Sequence, residues 1–137
     1  MSGLIADTSV AIKWFAREEH SDIAEAILES GLDIHAPEFM WIETANGLWK
    51  KWRKKDLPRE DVGLSVAKLK SMIDYWHADG DLIELATDMS LELAHPVYDC
   101  IFLVLARKLK IPLVTADKRL LGIAPDGLVV ALEDWRP

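Results

Sequence analysis

Leu4-Ile5-Ala6-Asp7-Thr8-Ser9-Val10 decides how the rest of the chain is read. A short apolar run, long enough for one brief strand, stops abruptly at an acid and two hydroxyls. Strands of a parallel sheet are buried on both faces and read as unbroken apolar runs, and ligands of such sheets gather at the strands' carboxyl ends. The stretch therefore predicts a parallel strand with Asp7 at the mouth of a site. Capping gives a second account, since Asp and Ser both accept hydrogen bonds from the free N–H groups of a helix's first turn. The remainder of the chain bears on the choice, because it carries three more acids in comparable settings.

Outward from that strand, Val10 to Phe15 predicts a short helix, interrupted around Arg17 to His20. Ile23, Ala24, Ile27 and Leu28 form an apolar stripe on a second helix, capped by Ser21 and ended at Gly31. Ile34-His35-Ala36 reads as a strand stopped by Pro37. A long helix is expected from Glu38 to Lys54, with Trp41, Ala45, Leu48 and Trp52 as its buried face and Glu43, Asn46, Gly47 and Lys50 on another. Pro58 with Glu60 and Asp61 marks the start of a partner helix. Its seam of Val62, Val66, Leu69, Ile73 and Trp76 runs to a stop at Asp79-Gly80.

Leu82 to Leu85 reads as a strand and Asp88 to Ala94 as a short helix. Val97 to Leu109 is apolar on every side, and such a helix belongs in the interior. Ile111 to Thr115 and Leu128 to Leu132 are the last strands, with a helical turn from Asp117 to Leu121 between them. Strands alternating with helices imply an α/β fold, a three-layer α/β/α sandwich around a parallel sheet.

At 137 residues, half of them hydrophobic and 28% charged, the chain is expected to be one domain (1–137) with its own core. The single cysteine, Cys100, excludes an internal disulfide and suits a reducing compartment. The N-terminus lacks a signal-peptide pattern, and the longest apolar run, Cys100 to Ala106, is too short to span a bilayer. A cytoplasmic protein with no membrane partner is the expectation. A net charge of −7 argues against a general nucleic-acid coat protein but not against an enzyme that spends acids on metal. Within this acidic chain, Lys50, Lys51, Arg53, Lys54 and Lys55 form a basic block.

Four carboxylates carry the chemistry: Asp7, Glu43, Asp99 and Asp117. Three stand where a helix cap could be, and Glu43 could face solvent. Asp99 resists dismissal, because an acid beside a fully apolar helix is costly unless paired, capped or bound to a cation. In a parallel sheet, Asp7 and Asp117 follow strands that open on the same edge and so flank one crevice. Converging carboxylates repel, and hard divalent ions with oxygen ligands relieve that repulsion. Metal-dependent phosphodiester hydrolysis is the reaction class that follows. His20, His35, His77 and His95 show no paired metal spacing, no glycine-rich phosphate loop occurs, and Cys100 reads as packing.

Asp7-Thr8-Ser9-Val10, Pro37 through Glu43-Thr44-Ala45-Asn46-Gly47-Leu48, Tyr98-Asp99-Cys100 and Thr115-Ala116-Asp117-Lys118-Arg119-Leu120 together resemble the PIN domain. In size and spacing they resemble the VapC-type toxins of toxin–antitoxin pairs. The resemblance implies an endoribonuclease using Mg2+ or Mn2+, one or two ions per site, with Asp7, Glu43, Asp99 and Asp117 as the acidic site. Thr115 matches a hydroxyl position near the metal and Asn46 a polar neighbour of the helical acid; Thr8 and Ser9 are the other supporting groups. It also implies a homodimer, higher toxin–antitoxin assemblies and an antitoxin that wraps the toxin. Lys118 and Arg119 stand where some relatives carry a further acid, which leaves the number of ions open.

Lys13, Arg17, Lys50, Lys118 and Arg119 are candidates for phosphate contacts, which position a substrate; the 50–55 block would extend that rim, or simply complement a helix's negative end. Of six tryptophans, Trp14 and Trp49 lie off the expected buried stripe and could meet an antitoxin. The competing function is a PIN-fold binding module without turnover. A phospho-acceptor receiver domain also uses a strand-end acid with magnesium, but needs an acidic pair near the N-terminus, where only Asp7 is available.

Overall fold

β1 (Gly3–Ala6) is the central strand of a five-stranded sheet, paired in parallel with β2 (Asp33–Pro37) on one side and β4 (Leu113–Thr115) on the other. β3 (Tyr75–His77) and β5 (Val129–Ala131) form the edges, so the order is β3-β2-β1-β4-β5 and every pair is parallel. The computed structural model describes residues 3–124 and 127–137. From β1 the chain steps outward to β2 and β3, then returns across the sheet to β4 and β5. Because parallel crossovers are right-handed almost without exception, that reversal moves the helices from one face to the other. On the first face, α1 (Thr8–Lys13) packs on α2 (Ser21–Glu29) and α3 (Phe39–Arg53), and α3 on α4 (Arg59–Met72). On the second, α5 (Ile83–Leu93) packs on α6 (Val97–Leu109), and α7 (Lys118–Ile123) covers β4 and β5. The three-layer α/β/α sandwich is the observed architecture.

The core is built from the apolar runs that the sequence marks. Leu4, Ile5 and Ala6 are fully enclosed, as is nearly the whole of α6 from Cys100 to Ala106. Each enclosed leucine or isoleucine contributes about 1.5–3 kcal/mol relative to exposure, so α6 and β1 together anchor the second layer. Among the described residues no single helix is long and apolar enough to cross a membrane.

Three sequence expectations are corrected. The helix read through Trp76 ends at Met72; Ile73 is extended, and Tyr75–His77 forms the edge strand β3. Asp74 turns the chain there by accepting the β2 N–H of Ile34 at 2.8 Å. Leu82 to Leu85 is not a strand: a 3-10 turn at Asp79–Asp81 leads into α5, whose enclosed residues Ala86 and Met89 follow Leu82 at helical spacing. Four residues, three of them apolar, could not reveal that period; the next four carry it. On α3 the enclosed face is Met40, Thr44 and Leu48, rotated from the expected stripe, while Trp52 is exposed. Trp41 is instead half-buried under α4, its indole N–H donating to the Val66 carbonyl at 2.9 Å and its ring stacking on Trp76. Trp14 is likewise spoken for, donating to the Ala24 carbonyl at 2.8 Å and packing on the core.

Candidate active site

Chain direction brings the four acids to one edge. β1 ends at Ala6, so Asp7 stands at the sheet's carboxyl edge, where its N–H donates to the Val114 carbonyl of β4 at 3.1 Å. α3 follows β2 directly, so it starts at that same edge and Glu43 lies one turn inside. α6 runs into β4 through 110–112, which puts its last turn at the amino edge and its first turn, with Asp99, at the carboxyl edge. Asp117 follows β4 after one residue. All four line a single cleft of about 410 Å³, with Thr8, Ser9, Asn46, Lys50 and Arg119 among its walls. Gly47 also lines the cleft, and a Cβ there would fall 2.4 Å from Cδ1 of Ile12, so any larger residue would make the Ile12 side chain shift.

Asp7 is buried, and its side chain is held by two hydroxyls, with the Thr8 backbone N–H as a further donor. Its Oδ2 accepts from Thr115 Oγ1 at 2.5 Å and from Ser9 Oγ at 2.8 Å. Each hydroxyl is fixed in turn by a backbone N–H, Ser9 by Ala116 and Thr115 by Asp117, both at 3.0 Å. Burial pushes the Asp7 carboxyl above the usual range; the Thr115 and Ser9 bonds oppose this, and the Asp99 charge adds to it.

Glu43 is half-buried and accepts a hydrogen bond from the Thr8 hydroxyl. Burial pushes its carboxyl up to about 7, against the Thr8 bond and with help from the charges of Asp7 and Asp99. Asp99 meets His95 instead, Oδ2 to Nε2 at 2.6 Å. Asp117 is gripped by Arg119, whose guanidinium reaches Oδ2 at 3.2 Å and whose backbone N–H reaches Oδ1 at 2.9 Å. Partial burial of Asp117 works upward, but the Arg119 bonds and charge hold its carboxyl below the usual range. The capping account therefore applies to Asp117, which caps α7; Asp7 stands at the start of α1 without a side-chain cap bond, and α6 begins after Pro96.

The basic candidates divide. Lys50 and Arg119 line the cleft, joined by Lys51 and Lys54. Lys13, Arg17 and Lys118 do not. Lys13 turns to Glu18 and the Glu19 carbonyl, Arg17 to Glu25, and Lys118 lines a separate hollow with His20 and Glu133. His95, which has no paired metal spacing in the sequence, is mostly enclosed against Asp99; its i, i+4 placement across Pro96 is the sequence signal for that pairing.

Among the described residues no three acid, His or Cys side chains already stand at metal-ligand distances. The donor set nonetheless suits a hard divalent cation: it offers carboxylate oxygens, two of them on groups raised by burial and mutual repulsion.

Comparison with known proteins follows the same lines. The PIN domain family matches residues 4–124. Ribonuclease VapC3 from Pyrobaculum aerophilum is 28% identical over 122 residues, 85% of this chain and 91% of that protein. Among solved structures, PAE2754 from Pyrobaculum aerophilum superposes with a TM-score of 0.73 at 18% identity, covering 96% of this chain and 91% of its own. A chain of a toxin–antitoxin complex from Klebsiella pneumoniae gives 0.62 at 21% identity, with 96% and 98% covered. Mycobacterium tuberculosis VapC20, described as a toxin that cleaves the sarcin–ricin loop, gives 0.66 at 17% identity, with 88% and 94% covered.

Proposed function

Because the chain belongs to the PIN domain family, we propose that it is a divalent-metal-dependent endoribonuclease acting as the toxin of a toxin–antitoxin pair. The observation that carries the reading is the convergence of Asp7, Glu43, Asp99 and Asp117 on one cleft, with neither Asp7 nor Glu43 ion-paired to a cationic side chain among the described residues. The ribonuclease and toxin–antitoxin relatives support the substrate class and the biological setting. A cytoplasmic homodimer that assembles with its antitoxin belongs to the same proposal.

Asp7, Asp99 and Asp117 would ligate Mg2+ or Mn2+, with Glu43 as a further ligand or as the group that orients water. When bound, one or two such ions would supply an activated water and stabilise charge on phosphoryl oxygens. The chain's own residues do the rest. Ser9 and Thr115 hold Asp7 in one orientation without neutralising it, and Thr8 does the same for Glu43. His95 fixes Asp99 from behind. Lys50 binds a phosphate beside the cut, keeping the scissile bond over the acids. Lysine suits this task as a mobile point charge.

The test is cleavage of a mixed structured RNA pool by protein freed of any co-purifying partner, in Mg2+ or Mn2+ against chelator. Cleavage that needs both the metal and Asp7 is expected. Absence of cleavage together with absence of metal binding would leave a PIN-fold binding module instead.

A further inference from the structure

Arg119 is the second residue of α7 and stands in the wall of the acid cleft. Its backbone and its side chain do separate things there. The backbone N–H caps the helix by donating to Asp117 Oδ1 at 2.9 Å, a bond that any residue but proline would supply. The guanidinium adds Nε to Oδ1 at 3.4 Å and a terminal nitrogen to Oδ2 at 3.2 Å. Those bonds join residues two positions apart, so they tie no element to another. With 80% of the side chain exposed, solvent also screens them. The fold therefore gains little from the guanidinium. Its place among the acids is the more telling fact: the bonds and charge of Asp117 act on it first, and the Asp99 charge after them. Lys50 reaches the same cleft from α3, in the opposite layer of the sandwich.

We propose that Arg119 is a catalytic residue that changes partner: it holds Asp117 when no divalent ion is bound and, once that carboxylate serves an ion, turns its fork onto the scissile phosphate. The inference rests on the ribonuclease reading above and deepens it by one catalytic group. A carboxylate that shares its charge with a divalent ion holds a neighbouring guanidinium less. The side chain is long, exposed and rich in rotamers, so it turns without moving the backbone. Its planar fork matches two non-bridging phosphoryl oxygens, which a lysine's point charge cannot do. In the hydrolysis itself the oxygen of water bonds to phosphorus, the bond from phosphorus to one ester oxygen breaks, and a proton from the water ends on that oxygen. Arg119 gives up no proton, since a guanidinium stays charged in proteins. It binds the non-bridging oxygens, where negative charge builds up in the transition state.

The test compares wild type, Arg119→Ala and Arg119→Lys. Both variants keep the capping N–H, so they fold, and circular dichroism checks it. At saturating Mg2+, Arg119→Ala should lower kcat for RNA cleavage by about 100-fold, the low end for one preorganised donor to a developing oxyanion, with KM rising less. Arg119→Lys should recover part of kcat, having the charge without the fork. A kcat that is unchanged or raised means that the guanidinium only balances Asp117, and overturns the proposal. A rise in KM alone overturns the catalytic role, because the contact is then made equally in the ground state. Inorganic phosphate, which is not cleaved, gives a second readout by calorimetry. In Mg2+, Arg119→Ala should weaken phosphate binding by about tenfold, one hydrogen bond to a charged group. In chelator, with the guanidinium kept on Asp117, wild type and variant should bind phosphate alike. An equal effect in both conditions, or none in either, overturns the change of partner. Phosphate binding that needs Arg119 only in Mg2+, with no wild-type cleavage of RNA, retains the change of partner and sinks the nuclease. Metal-dependent cleavage whose kcat ignores Arg119→Ala does the reverse.

Discussion

Asp7 and Glu43 are held by hydroxyl groups, whereas Asp99 and Asp117, across the same cleft, are held by an imidazole and a guanidinium. A hydroxyl orients a carboxylate without cancelling its charge. A guanidinium does both. The consequence is visible in the directions of titration: burial drives Asp7 and Glu43 upward, while Arg119 keeps Asp117 low. The hydroxyl-held half is therefore short of positive charge and has most to gain from a divalent ion. The other half already has a cation, which an ion must displace or share.

The largest expected effect breaks the hydroxyl-held half directly. Asp7→Asn should lower metal-dependent RNA cleavage by about a hundredfold or more, since even groups that only orient a metal ligand typically cost 10–100-fold. In chelator its melting temperature should stay level or rise, because the amide oxygen still accepts from Ser9 or Thr115 while the buried charge is gone. A matching loss of activity and fold would mean that Asp7 is structural.

Next in size is the loss of orientation. Thr115→Val and Thr8→Val each remove one hydroxyl from a carboxylate at little change of shape, and about a tenfold drop in cleavage is expected for either. Thr115→Val should be the more damaging, because its hydroxyl also accepts the Asp117 N–H and so serves both halves. Equal effects, or none, would erase the distinction between orienting and neutralising groups.

Arg119→Ala tests the other half. If the guanidinium competes with a metal for Asp117, removing it should tighten Mn2+ binding a few-fold in a calorimetric titration, since solvent screens an exposed pair and keeps the competition weak. Unchanged or weaker Mn2+ binding would show that Arg119 and the ion do not share Asp117.

The four acids and their neighbours also differ in how far sequence revealed them, and not along the same division. Asp7, Asp117 and the strands before them are local facts: an apolar run followed at once by an acid needs no partner to be read. α6 was legible for the same reason, being apolar all round. What escaped were relations set by packing. Lys13 is as basic as Lys50, but nothing in the sequence says that it turns to Glu18. β3 has three residues, too few to show alternation, and its aromatic character was absorbed into a helical seam. His95 and Asp99 are one turn apart in spacing, yet Pro96 starts a helix between them, so their meeting depends on the bend rather than the period.

The smallest effect sharpens the comparison by titration. Glu43 has a folded-state value of about 7 against 4.5 for an ordinary glutamate, raised by burial first and then by Asp7 and Asp99. Between those values the folded chain binds more protons than the unfolded one, so stability falls as pH rises. The contribution is whole below pH 4.5 and is lost as pH rises through about 7. Asp117 runs oppositely: its carboxyl is held low, so its contribution is present at neutral pH and lost on acidification. The two tendencies overlap in any single melting curve, and the difference between wild type and Glu43→Gln isolates the first. In chelator, Glu43→Gln should raise the melting temperature more at about pH 8 than at about pH 5. Saturating Mn2+ should reverse that advantage, because the ion stabilises the charged wild-type carboxylate and the amide forfeits the gain. A difference that does not vary with pH would mean that Glu43 titrates as an ordinary carboxylate, and the charge deficit would then rest on Asp7 alone.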